Sequence, residues 1–100
     1  MWFEDIEDVS IEYEEGGVVR VKQVGKAVIA RGPWPVIAFL YREQDPDAGH
    51  YGNLKVSLMK FRKEHGAYRL ESRFNITSLD QAAKIASVLQ GWASEEGLDA

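Results

Sequence analysis

Lys55, Phe61, Lys63, Arg69 and Arg73, with Tyr41 upstream, are the residues whose types and spacing suggest chemistry. Cationic side chains hold phosphates, and aromatic faces stack under bases at roughly 1–3 kcal/mol per base. Along residues 54–63, Leu54, Val56 and Leu58 alternate with Lys55, Ser57, Met59, Phe61 and Lys63. Across Glu64-His65-Gly66, Tyr68, Leu70, Phe74 and Ile76 oppose Arg69, Glu71, Arg73 and Asn75. Each segment thus pairs an apolar face with a mixed basic one, and a hairpin brings like faces together. Single-stranded DNA or RNA is one partner that suits the mixed face. A second polypeptide, or the N-terminal arm, packed against Met59 and Phe61 is the other.

Other reactive residue types form no pattern. His50 and His65 lie beside glycines in turn-like stretches, without a partner that would mark general acid–base catalysis. Asp45-Pro46-Asp47 reads as turn chemistry, because calcium takes six or more oxygens and the residues that follow do not continue an EF-hand. The glycines make no phosphate-binding motif. The chain has no cysteine, which excludes disulfides, zinc thiolates and thiol catalysis. The expectation is a non-enzymatic protein with no cofactor and no metal site.

The elements that must position the basic face follow from periodicity. Period-two alternation begins at Val9 and runs to Glu14, and Gly16-Gly17 forms a turn. Val18–Val24 and Ala27–Arg31 read as strands separated by a turn at Gly25-Lys26, or as one longer strand with a bulge there. Gly32-Pro33-Trp34-Pro35 interrupts the ladder, because proline has no amide donor. Trp34 is read as a core plug, with an exposed anchor as the alternative. Val36–Tyr41 is apolar at both parities, like a strand covered on both faces. Ser78 and Gln81 form a capping box, followed by Leu79, Ala82, Ile85, Ala86, Leu89 and Trp92 at helical spacing. The predicted fold is α+β: a curved antiparallel sheet with a ββββα core, extra N-terminal strands and one C-terminal helix over 78–93. The apolar stripe of that helix is expected to cover Leu54, Val56, Leu58, Leu70 and Phe74, leaving the face of Phe61 open.

Length and charge frame this reading. One hundred residues suit a single domain. The predicted organisation is an acidic arm over 1–8, one domain over 9–94 and an acidic tail over 95–100. The net charge of −4 is unevenly spread. All twelve Lys and Arg lie within residues 16–94 with six of the sixteen acids, so that region is +6 and the ends are −10. Acidic ends either keep the domain soluble or compete with a polyanion for the basic face. The longest apolar run, Val36–Tyr41, is too short to span a bilayer, and the N-terminus lacks the pattern of a signal peptide. A cytoplasmic protein without membrane contact is expected.

From Ala27 onward the order strand, strand, strand, strand, helix resembles the single-stranded-DNA-binding domains of the positive-cofactor-four family of transcriptional coactivators, and the PUR repeats. The nearest local likeness is Arg73-Phe74-Asn75-Ile76-Thr77-Ser78-Leu79, a strand running into a capped helix. The resemblance covers about two-thirds of the chain and lies in the order of elements. It implies a homodimer that binds single strands on a curved sheet, in a transcription-related role. Lys55, Phe61, Lys63, Arg69, Arg73 and Tyr41 are the candidate contacts from the face argument, with a protein-interaction or structural homodimer as the alternative function.

Overall fold

Tight turns set the register of the sheet. Gly16-Gly17 and His65-Gly66 have φ of 59°, 80°, 51° and 81°. Positive φ at both positions is the primed hairpin turn, whose twist matches that of paired strands. A computed structural model describes residues 2–44 and 49–96. In it these turns join β2 (Tyr13–Glu15) to β3 (Val18–Ala30), and β5 (Lys55–Glu64) to β6 (Ala67–Ile76). With β1 (Trp2–Phe3) and β4 (Val36–Glu43) they make one antiparallel sheet in the order β1-β6-β5-β4-β3-β2. A single 3-10 turn spans Ile6–Asp8, and α1 spans Leu79–Glu96. The fold is α+β, a curled antiparallel sheet followed by one C-terminal helix that contacts β5 and β6.

Several boundaries differ from the expected ones, each for a local reason. The expected pair 18–24 and 27–31 is one strand, and register shifts at Gln23/Gly25 and Val28/Ala30 absorb an extra residue each time. Val24 and Ile29, the skipped residues, are exposed. Pairing of β2 begins only at Tyr13, because Ile11 turns its amide to the Gln23 side chain (3.1 Å). The helix runs three residues beyond the expected end, through Gly91. Its start is as read: the Gln81 amide donates to Ser78 Oγ (3.1 Å) and Gln81 Oε1 accepts from the Thr77 amide (3.1 Å). Asp45-Pro46-Asp47 and residues 97–100 of the tail lie outside the described residues.

A third shift, between Lys60 and Phe61, decides which side chains share a face. Lys60 pairs with Ser72 but Phe61 with Leu70, leaving Glu71 as the extra residue. Leu70 and Tyr68 therefore lie on the face of Phe61, while Phe74 and Ile76 lie on that of Leu58 and Val56. Strict alternation had placed Leu70 and Phe74 together.

The core sits on the face of Phe61. Ile37, Phe39, Met59 and Phe61 cluster there with Ile6 and Val9 of the N-terminal segment. The segment is held in several places. Phe3 meets Phe61 edge-on, with ring centroids 6.5 Å apart and planes at 85°. Lys26 Nζ donates to the carbonyls of Ile6 (2.8 Å) and Glu7 (2.9 Å), and Arg31 pairs with Glu7 (2.8 Å). This corrects the expectation that the face opposite the helix is free. The acidic arm docks on the body of the domain and its apolar residues close the core, as in the alternative in which Met59 and Phe61 pack against that arm. α1 touches the sheet only near its start, where Ala82 and Ile85 are half-buried, and most of the following helix is exposed.

Candidate nucleic-acid interface

Burial separates the six expected contact residues into three groups. Phe61 is 2% exposed and Tyr41 is 6% exposed. Neither offers an open ring to a base, because both point into the core face that the N-terminal segment covers. Burial, and next the Glu43 carboxylate, raise the Tyr41 phenol above its ordinary 10.0, with Arg73 acting in the opposite sense. Tyr41 is thus a neutral core group at neutral pH.

Lys55 and Arg73 form the second group, at the margin of that face. Lys55 Nζ lies 3.5 Å from Glu43, and Lys55 pairs across the ladder with Tyr41. Arg73 lines a cavity of about 460 Å³ whose walls include Tyr41, Met59, Phe61 and Val9. Beside it, Ser57 donates to Asn75 Oδ1 at 2.8 Å, satisfying the one buried polar side chain of the face.

Lys63 and Arg69 form the third group, near the hairpin turn but on opposite faces, Lys63 beside Tyr68 on the face of Phe61 and Arg69 opposite Arg62 on the other. Lys63 Nζ stands 5.6 Å from the Tyr68 ring centroid. Arg69 faces Arg62 across the ladder, and Glu64 bridges both, at 3.3 Å and 3.5 Å. Like charges directly opposed on a sheet repel, so the Glu64 carboxylate holds together a site that is otherwise wholly cationic.

The structure adds Trp34, Lys60 and Arg62, which lie with Arg69 on the face opposite the core. The amide of Phe61 donates to the carbonyl of Pro35 (2.9 Å), and that of Lys63 to the carbonyl of Pro33 (2.9 Å). Proline can accept but not donate, so the Pro-Trp-Pro segment extends the β4–β5 ladder from one side only. Pro35 is fully buried, while Trp34 is 45% exposed. Lys60 Nζ lies 5.3 Å and Arg62 Cζ 5.1 Å from the Trp34 ring centroid. The indole is thus an exposed anchor and not the core plug expected of it. The signal was present in the sequence: Lys60 and Arg62 alternate with Met59, Phe61 and Lys63, and the prolines constrain how Trp34 meets them.

An exposed indole among Lys60, Arg62 and Arg69 can stack a planar group while its neighbours bind anions. His50 and His65 are both exposed. Among the described residues no group of three or more His, Asp or Glu side chains could hold a metal ion, and no helix is long and apolar enough to cross a membrane. The chain matches no family model, curated protein or solved structure with which it was compared.

Proposed function

We propose that the protein is a non-enzymatic module that binds single-stranded DNA or RNA at the hairpin end of its sheet. The observation that carries this reading is the exposed Trp34 ring with Lys60 and Arg62 within 5.3 Å and 5.1 Å of its centroid. A base stacks on the indole in place of one cation, and the displaced side chain turns to a phosphate. Arg69, exposed and opposite Arg62 on the same face, extends the phosphate track toward the turn, whereas Lys63 lies on the other face of the sheet. Phe61 serves this function only as a core residue beneath the site, and Tyr41, paired with Lys55 toward the other end of β5, lies away from it. A role in transcription, a cytoplasmic location and the absence of any catalytic step belong to the same proposal.

The test is fluorescence anisotropy with labelled mixed-sequence DNA and RNA strands of about 20 nucleotides, long enough for several contacts. Affinity is expected to fall as salt rises, with a log–log slope of about −0.7 for each phosphate neutralised. Trp34→Ala is expected to weaken binding about 5- to 100-fold, the range that loss of one stacked base implies. Arg62→Gln should weaken binding and flatten the salt slope by about 0.7. If the folded wild type does not bind at low salt, or if Trp34→Ala binds as well as wild type, this reading fails.

A further inference from the structure

The face of the sheet opposite the core is the largest feature without an explanation. It divides along the strands. The hairpin end carries Trp34, Lys60 and Arg62. The other end carries Leu40, Val56, Leu58 and Phe74, and Phe74 is 56% exposed. Between β3 and β4 this face holds a shallow groove of about 190 Å³, lined by Gly25, Ala27, Ala38, Leu40 and Val56. Small side chains on adjacent strands make the floor low, so large side chains from outside fit into it. A Cβ on Gly25 would stand 3.4 Å from Leu40 Cβ, close enough to narrow the groove.

The same chain also has a helix with an uncovered apolar stripe. Leu89 is 54% and Trp92 60% exposed. Beyond Ile85 the stripe does not reach its own sheet. Only Thr77 and Ser78 separate β6 from α1, and the reciprocal Ser78–Gln81 cap fixes the direction in which the helix leaves. The chain is therefore drawn out, measuring 51 × 38 × 17 Å with a radius of gyration of 15.7 Å. About 13 Å is usual for 100 residues. Its accessible surface is 6979 Å², where a compact monomer of this mass exposes about 5,700 Å². The excess is larger than the roughly 800 Å² that each partner buries in a standard interface.

We infer that a second copy of this chain covers both surfaces, the α1 of each copy lying in the groove of the other with Leu89 and Trp92 as its anchors. A two-fold axis satisfies both needs at once, because each chain supplies one helix and one groove. Charge agrees with this pairing. The helix stripe ends beside Glu95, where the helix dipole is also negative, whereas the border of the groove away from Trp34 carries Lys22 and Arg42. The Asp80–Lys84 pair (3.1 Å) neutralises the start of the helix. The partner contact is therefore opposite to the face of Met59 and Phe61, which is filled from within the chain. Trp34 stays at the rim of the dimer, so the proposal stands apart from the nucleic-acid reading.

Light scattering of the full-length protein across micromolar concentrations tests the stoichiometry, and the absence of cysteine allows the contact itself to be trapped. A species of twice 11.3 kDa is expected, and Trp92→Arg should raise the dimer dissociation constant at least tenfold. The side chain is exposed in the single chain, so this substitution leaves the fold intact. Under mild oxidation a mixture of Leu89→Cys and Ala38→Cys proteins should give a mixed disulfide that neither protein gives alone. A monomer at all concentrations overturns the inference. So does a Leu89→Cys self-crosslink in place of the mixed one, which would mean that helices pair with helices. A crosslink within one chain of the double variant, with monomeric mass, overturns it as well.

Discussion

A chain lacking residues 2–11 is expected to lose cooperative unfolding. The deletion removes Ile6 and Val9, two of the six residues in the buried cluster, and Phe3 and Ile11 packed against it. Burying each large apolar side chain contributes about 1.5–3 kcal/mol, and the deletion also uncovers Ile37, Phe39, Met59 and Phe61. A loss of about 5 kcal/mol or more follows, which is comparable with the whole stability of many small domains. Urea titration followed by circular dichroism should replace a sigmoidal transition with a shallow slope. An unchanged midpoint would mean that the segment is dispensable and the core is misplaced. The charge argument alone leads elsewhere, to an acidic arm whose removal frees a basic face and tightens oligonucleotide binding. In the fold this segment engages Lys26 through backbone carbonyls and Arg31 through Glu7, and its β1 pairs with β6 at Trp2–Arg69 and Phe3–Tyr68.

The second large effect is expected at Phe61. Truncating a buried phenylalanine leaves a cavity, so Phe61→Ala should cost about 3–5 kcal/mol. Phe61→Leu, which refills most of the space, should cost less than about 1.5 kcal/mol. The pair separates a core role from a stacking role. Phe61→Leu remains folded and removes the aromatic face, yet oligonucleotide affinity should stay within twofold of wild type. Trp34→Ala should do the reverse, with little change in stability and a clear loss of binding. Equilibrium denaturation and anisotropy on the same preparations read both quantities. A large loss of affinity in folded Phe61→Leu would return the base platform to the covered face.

How much of this was legible in the chain depends on how local the controlling interaction is. The capped helix was legible because Ser78 and Gln81 act within one turn. The β5–β6 hairpin was legible because its turn and its alternating flanks are contiguous. The long β3 was only half legible. Its bulges at Val24 and Ile29 exist to keep Gln23, Lys26 and Val28 in register with Tyr41, Phe39 and Ile37, and that register belongs to β4.

The candidate site was legible in composition and misplaced in space. Arg69 remains in the exposed cluster, Lys63 is exposed on the other face, and Lys55 and Arg73 stand beside the cavity. Phe61 and Tyr41 went inward because the segment from Phe3 to Val9 folds over that face. Its carboxylates read as solvated and its apolar residues as able to dock, and sequence alone did not choose between the two. Trp34 went outward because the two prolines beside it let the β5 amides bind one edge of the segment.

Residue types and their spacing by themselves determined that the protein is a small α+β domain, with a sheet, a hairpin and a terminal helix, and that its middle is basic. These follow from short-range forces: turn dihedrals, helix capping and alternation along a strand. Only the tertiary structure decided which face of the sheet is the core, because both faces carry apolar residues and the choice rests on contacts between segments more than thirty residues apart, as between Ile6 and Phe39. The same long-range choice buried Phe61, left Trp34 exposed, and left most of the helix and part of the second face of the sheet uncovered.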